Sequence, residues 1–253
     1  MTRIIAFTNQ KGGVGKTTSV LNVGAALAKK GKKVLMIDLD PQGNLTQSLL
    51  PEPPKNTIFT LLLEECKFGE AIVNTTENLL LIPCNNKFAN FERQFAADAD
   101  SQYIMVDFIE AIKKNFPNQL DFIIFDTPPA LGLITLNALV ACQEVYIPMN
   151  SQEYSLTGLN AVIEVVERVK KRTNPDLEVK GMFFSRHNSR KYITRNMVEH
   201  LNSEFPNKLM NTHIRVNVAL EESPSLRQSV FDYDPSSNGA KDYSDLTDEI
   251  IKL

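Results

Sequence analysis

The stretch GGVGKT, residues 12–17, is bracketed by two different hydrophobic periodicities, and that bracket limits the folds open to the chain. Before it, RIIAFTN (3–9) is a short, β-rich apolar run. After it, TTSVLNVGAALAKKG (17–31) repeats its apolar residues at helical spacing until Gly31 stops it. KVLMIDLD (33–40) is a second buried strand, ended by PQGN. Strand, helix and strand in so short a unit predict a right-handed parallel crossover. The pattern continues. LLLIPC (79–84), DFIIFDTPP (121–129), EVYIPMN (144–150) and KGMFFS (180–185) are further strand-like runs. Helical patterns lie between them, and FANFERQFAADA and YIMVDFIEAIKKN fill 88–116. PEPPKNTIFT (51–60) reads as a proline-rich loop. ITRNMVEHLNSEF reads as a helix, the region near 209–214 as a short strand, and AKDYSDLTDEIIKL as a terminal helix. The fold class is α/β, a doubly wound, mostly parallel sheet flanked by helices. No internal repeat or linker interrupts it, so residues 1–253 are expected to form one domain.

A glycine loop that follows a strand and opens a helix is a phosphate cradle. Backbone N–H groups of Gly12, Gly13, Val14, Gly15, Lys16 and Thr17, with Thr18 next in the helix, can wrap phosphate oxygens, and the helix N-terminus adds partial positive charge. Lys16 is placed to bridge the β- and γ-phosphates, and the Thr17 hydroxyl to bind Mg²⁺. This is the P-loop NTPase arrangement with one departure. The pattern G-x-x-x-x-G-K-[ST] asks for glycine at position 10, where this chain has Gln10, and a second lysine, Lys11, precedes the glycines.

With that lysine, KGGVGKTT resembles the deviant Walker A box of the ParA/MinD superfamily. DLDPQGN (38–44) is similar to the second box, and FIIFDTPPALG (122–132) to the Walker B and switch segment. IPMNSQEYSLTGL (147–159) and DYDPSSNGAKDYSDL (232–246) resemble later segments. The likeness spans nearly the whole chain and is strongest to the small, chromosomal-type ParA/Soj group. It implies ATP and Mg²⁺ as cofactors and a homodimer formed on ATP binding. Lys11 would then reach the partner subunit's phosphates and neutralise charge during phosphoryl transfer. It implies that Asp40 orients the attacking water, that Asp38 sits near the Mg²⁺ shell, and that Asp126 holds Mg²⁺ through water. It implies slow ATP hydrolysis stimulated by a ParB-like centromere-binding partner or other adaptor.

The formal net charge is −3, yet Arg168 to Ala219 holds eleven Lys/Arg against four Asp/Glu. A local basic face is therefore expected, and the ParA/Soj resemblance implies that it meets DNA without sequence preference, with candidates Arg186, Arg190, Lys191, Arg195 and Arg215. Arg190 aligns with the arginine of the family's MFDxRT segment. The family's PRNVRLSEAPS reads RVNVALEESPS here (215–225). Two arginines are thus replaced by Val216 and Ala219, while Asn217 is retained in the position of an adenine-side contact.

Other classes are disfavoured. The terminal YSDLTDEIIKL is amphipathic but acidic, unlike the basic membrane-binding helix of MinD-like positioning ATPases. Without an apolar window of membrane-spanning length, the chain is expected to be soluble and cytoplasmic, with no membrane partner, and the ParA/Soj resemblance implies that it is nucleoid-associated. Cys66, Cys84 and Cys142 lack metal-ligand spacing and read as buried or half-buried thiols. A metabolic P-loop enzyme using ATP on a small molecule is the alternative reading.

Overall fold

The computed structural model describes residues 1–52, 54–116, 119–150, 156–186 and 192–253, with the side chains of 156–157 and 192–197 outside that description. Among the described residues, seven strands form one sheet: β1 Arg3–Phe7, β2 Val34–Asp38, β3 Val73–Thr76, β4 Leu79–Ile82, β5 Phe122–Asp126, β6 Glu144–Asn150 and β7 Glu178–Ser185. Their order is β3-β4-β2-β5-β1-β6-β7. Every neighbouring pair is parallel except β3 with β4.

The central strands are apolar between their ends because both faces are covered. Side chains alternate between two cores. Ile4 and Ala6, Leu35 and Ile37, and Ile123 and Phe125 enter one layer, with Ile109, Ala138 and Val162 from the helices above it. Ile5 and Phe7, Val34 and Met36, and Phe122 and Ile124 enter the other. There they meet the helix Lys16–Lys29 and Tyr243, Leu246 and Ile250 of the C-terminal helix Asn238–Lys252. Gly24 makes that helix–sheet contact close: a Cβ there would lie 2.8 Å from Met36 Sδ.

Several sequence expectations change. The loop at 51–60 ends early, because Thr57 caps a helix over Ile58–Leu62 and its side chain accepts from the Thr60 N–H. FANFERQFAADA makes a 3₁₀ turn, Asn86–Asn90, and a short helix, Phe91–Phe95, before the helix Ile104–Asn115. The sequence pattern does not announce the antiparallel edge strand β3, because three of the four residues of VNTT are polar and its burial alternates. The stretch near 209–214 is not a full strand. It meets β7 through one bridge, Met182 with Leu209, and bonds from Lys208, Met210 and Ile214.

Candidate nucleotide-binding site

The site lies at the carboxyl ends of the parallel strands, where ligands bind in open α/β sheets. After β1 the chain crosses the end of β6. Thr8 N–H donates to the Tyr146 carbonyl at 3.1 Å, and Asn9 Nδ2 to the Pro148 carbonyl at 2.8 Å. Asn9 Oδ1 accepts from the Lys11 N–H at 3.0 Å. Gly13 and Gly15 then take φ of +71° and +83°, the left-handed region open to glycine. Lys16 starts the helix.

These turns leave a cavity of about 470 Å³. Gly12, Gly13, Gly15, Lys16, Thr17 and Thr18 line one side, and Asp40 and Pro129 contribute to the rest of its wall. Val14 is buried beneath the loop. Lys16 Nζ bends back to the Asn9 carbonyl at 3.1 Å and the Lys11 carbonyl at 2.9 Å. Burial lowers its pKa, and the charges of Asp126 and Asp40 oppose that shift.

Lys11 is turned elsewhere. It does not line this cavity, and its stem runs over Gly158, where a Cβ would sit 3.8 Å from Lys11 Cε.

Asp38 and Asp126 end adjacent strands in direct register. Both are fully buried. Asp38 is committed to the loop that follows it. Its carboxylate accepts from Thr46 Oγ1 at 2.7 Å, Thr46 N at 2.9 Å and Asp40 N at 3.1 Å. Burial raises its pKa to about 6, against the pull of those bonds. Asp40 in turn accepts from the Gln42 N–H at 3.0 Å while it faces the cavity, so it shapes the turn as well as lining the site.

Asp126 differs. Among the described residues, neither carboxylate oxygen has a partner at hydrogen-bond geometry. Burial holds its pKa well above the usual range, and the Asp38 charge adds to this, while Thr17 and Lys16 act in the opposite direction. Two orphaned, buried carboxylate oxygens beside a hydroxyl and an ammonium are a poor environment for an apo protein. A hard divalent cation satisfies it, so Thr17 and Asp126 fit Mg²⁺.

Residues between 214 and 221 and the end of β7 also line the cavity. Asn217 lines it and starts the short helix Val218–Glu222. Arg215 and Arg186 also line the cavity, and both are paired. Arg215 holds Asp242, and Arg186 lies 3.0 Å from Glu221. Arg190 and Lys191 lie outside the described residues. Arg195 is on the helix Tyr192–Glu204, its side chain outside the description. The basic face anticipated from 168–219 is accordingly reduced. Arg168 pairs with Glu164 at 2.9 Å, and Lys180 and Lys208 share Glu178. Glu164, Glu221 and Asp242 lie outside the counted segment, which is why the count along the chain overstated the charge in space.

Four contributors escaped sequence reasoning: Asn9, Thr46, Ser185 and Tyr243. Tyr243 Oη lies 3.0 Å from Ser19 Oγ, which bonds the Gly15 carbonyl at 2.6 Å. The available signal was position. Asn9 and Ser185 each close a strand-like run at the carboxyl edge of the sheet.

Fold and loop define a P-loop nucleotide-binding α/β protein. A family model described as an AAA domain matches residues 2–179. The chain is 39% identical over 253 residues to the sporulation initiation inhibitor protein Soj of Bacillus subtilis, covering 99% of this chain and 98% of that protein. It is 33% identical to the chromosome partitioning protein ParA of Caulobacter vibrioides, covering 98% and 94%. Among solved structures, a cobyrinic acid a,c-diamide synthase from Mycobacterium smegmatis with bound ATP analog and magnesium superposes with a TM-score of 0.86 at 30% identity, covering 100% of this chain and 95% of that one. The chain belongs to the ParA/MinD superfamily of P-loop ATPases, with Soj and ParA partitioning proteins among its relatives.

Proposed function

We propose that this chain is an ATP-dependent dimer switch of the ParA type. It binds ATP and Mg²⁺, dimerises, holds DNA without sequence preference, and hydrolyses ATP slowly until a ParB-like or other adaptor protein stimulates it. The process served is DNA partition or cargo positioning. The observation that carries this reading is the divergence of the two lysines. Lys16 is folded into its own glycine loop, whereas Lys11 is directed over Gly158 and out of the cavity that Gly12 to Thr18 line. A cation set beside, and not inside, its own phosphate site suits a neighbouring subunit's phosphates. The orphaned Asp126 supports the metal, and Asn217 in the cavity lining supports a base contact.

The C-terminal helix supports partition over membrane cycling, because its apolar residues Tyr243, Leu246 and Ile250 are packed against the sheet. Among the described residues no helix is long and apolar enough to cross a membrane.

The test is DNA retention by the Asp40→Ala variant with ATP and Mg²⁺, against wild type with ADP, over a salt series. The ATP form should bind duplex DNA with a log–log salt slope of about −0.9 per phosphate contact and little sequence preference. No retention at low salt overturns the partition reading. The likeness to the diamide synthase then favours a metabolic P-loop enzyme that uses ATP on a small molecule.

A further inference from the structure

We infer that Ser185 is a positioning residue for the phosphate loop: its hydroxyl sets the direction of the Gly15 N–H. The inference rests on the reading of the cavity as a nucleotide site and adds to it a residue 171 positions along the chain from Val14.

Ser185 closes β7 and is 3% exposed. β7 does not neighbour β1, since β6 lies between them. The loop that leaves β1 therefore crosses the end of β6 before it reaches β7. Thr8 and Asn9 pin its near end to β6. Ser185 pins its far end, donating from Oγ to the Val14 carbonyl at 2.7 Å, with the Met149 carbonyl 3.2 Å away. Both neighbours are carbonyls, so the serine can only donate to them.

The consequence follows from peptide geometry. In a planar trans peptide the C=O and N–H point in opposite directions. A Val14 carbonyl drawn towards Ser185 turns the N–H of the same peptide, which belongs to Gly15, the other way. Gly15 lines the cavity. Val14 is itself buried, so without the hydroxyl its carbonyl is left unsatisfied and the peptide gains a reason to flip. The two residues also fit by size. Gly15 adopts φ +83°, and a Cβ there would lie 3.4 Å from Ser185 Cβ. Glycine at one position and a small hydroxyl residue at the other make the contact possible.

The test compares Ser185→Thr with Ser185→Val, which have the same shape and differ in the hydroxyl. Ser185→Ala serves as a third variant of smaller size, and thermal melting confirms folding of each. Binding of Mg²⁺-ADP is measured by titration. The Val and Ala variants should bind about three- to tenfold more weakly, the range one hydrogen bond commands, and Thr should restore wild-type affinity. The second readout is the ¹⁵N–¹H resonance of Gly15. ADP should move it in wild type and Ser185→Thr, and much less in Ser185→Val. Equal affinities and equal Gly15 shifts for Thr and Val overturn the inference, as does a loss shared by both. If wild type binds no nucleotide, the reading of the cavity itself fails.

Discussion

Arg215 grips Asp242 through its guanidinium, with Nη2 2.6 Å from Oδ1 and Nε 3.0 Å from Oδ2 and 3.1 Å from Oδ1, and the Arg215 backbone N–H adds a fourth contact to Oδ2 at 2.9 Å. The carboxylate is nearly buried, at 8% side-chain exposure, while the arginine is 45% exposed. The pair ties the chain that walls the nucleotide cavity to the C-terminal helix. Arg215→Ala should therefore destabilise the protein by about 1–3 kcal/mol, because a largely buried carboxylate loses its cation. Urea unfolding measures this. A variant as stable as wild type, with its DNA salt slope reduced by about one unit, would instead make Arg215 a phosphate contact.

The two lysines of the loop should separate cleanly. Lys16→Ala removes the buried ammonium from the cradle and should weaken ATP binding at least about a hundredfold, the scale of two charge-assisted hydrogen bonds. Lys11→Ala should bind ATP within about threefold of wild type, yet dimerise poorly and fail to hydrolyse it. Calorimetry, light scattering and phosphate release together decide. Normal turnover by Lys11→Ala removes the case for a cross-subunit role.

Asp40 and Asp126 should fail differently. Asp126→Ala should lose the Mg²⁺ dependence of nucleotide affinity, since its unpartnered oxygens are the ones that fit the metal. Asp40→Ala should keep that dependence and dimerise with ATP, but turn over slowly because the attacking water loses its acceptor. Nucleotide titrations with and without Mg²⁺, followed by gel filtration with ATP, distinguish them. An Asp40→Ala variant that stays monomeric with ATP points to its Gln42 turn as the residue's main task.

A pH effect is expected from Glu178, far from the nucleotide. Lys180 and Lys208 hydrogen-bond its carboxylate at 2.8 and 2.7 Å and lower its pKa to about 2 from the usual 4.5. A depressed carboxyl stabilises the fold above its unfolded pKa and loses that contribution as pH falls through the folded value. The window is thus about pH 4.5 down to about 2. Glu178 is 40% exposed, so the pair contributes at most about 1 kcal/mol. Urea melts of wild type and Glu178→Gln should differ slightly at pH 7 and converge on acidification through that window. A gap that widens as pH falls contradicts the assignment.

Much of this was legible in the chain itself, for reasons visible in particular residues. Phe122–Asp126 reads as a strand because both faces are buried, leaving an uninterrupted apolar run that ends on a carboxylate. The glycine loop was equally plain as a turn between strand and helix, since Gly13 and Gly15 supply the left-handed backbone it needs. What did not show was anything that depends on distant chain. β3 exists through its pairing with β4, and VNTT carries too little apolar pattern to announce it. Thr46 matters because the loop after β2 folds it onto Asp38, and Ser185 because β6 separates β1 from β7. Arg186 and Arg215 looked like free cations because Glu221 and Asp242 enter from later segments.

The strand-like segment beyond β7 has a consequence for life in a crowd. An open sheet ends in rows of unpaired peptide groups that can recruit the same row on another molecule. Here Lys208, Met210 and Ile214 engage Met182 and Phe184 along the β7 border without building an eighth strand, and the opposite border is the four-residue β3. Both margins are thereby blunted. If copies gather densely along a shared polymer, as the proposed role requires, their association is left to the nucleotide-controlled face, and uncontrolled growth through the sheet is resisted by the fold.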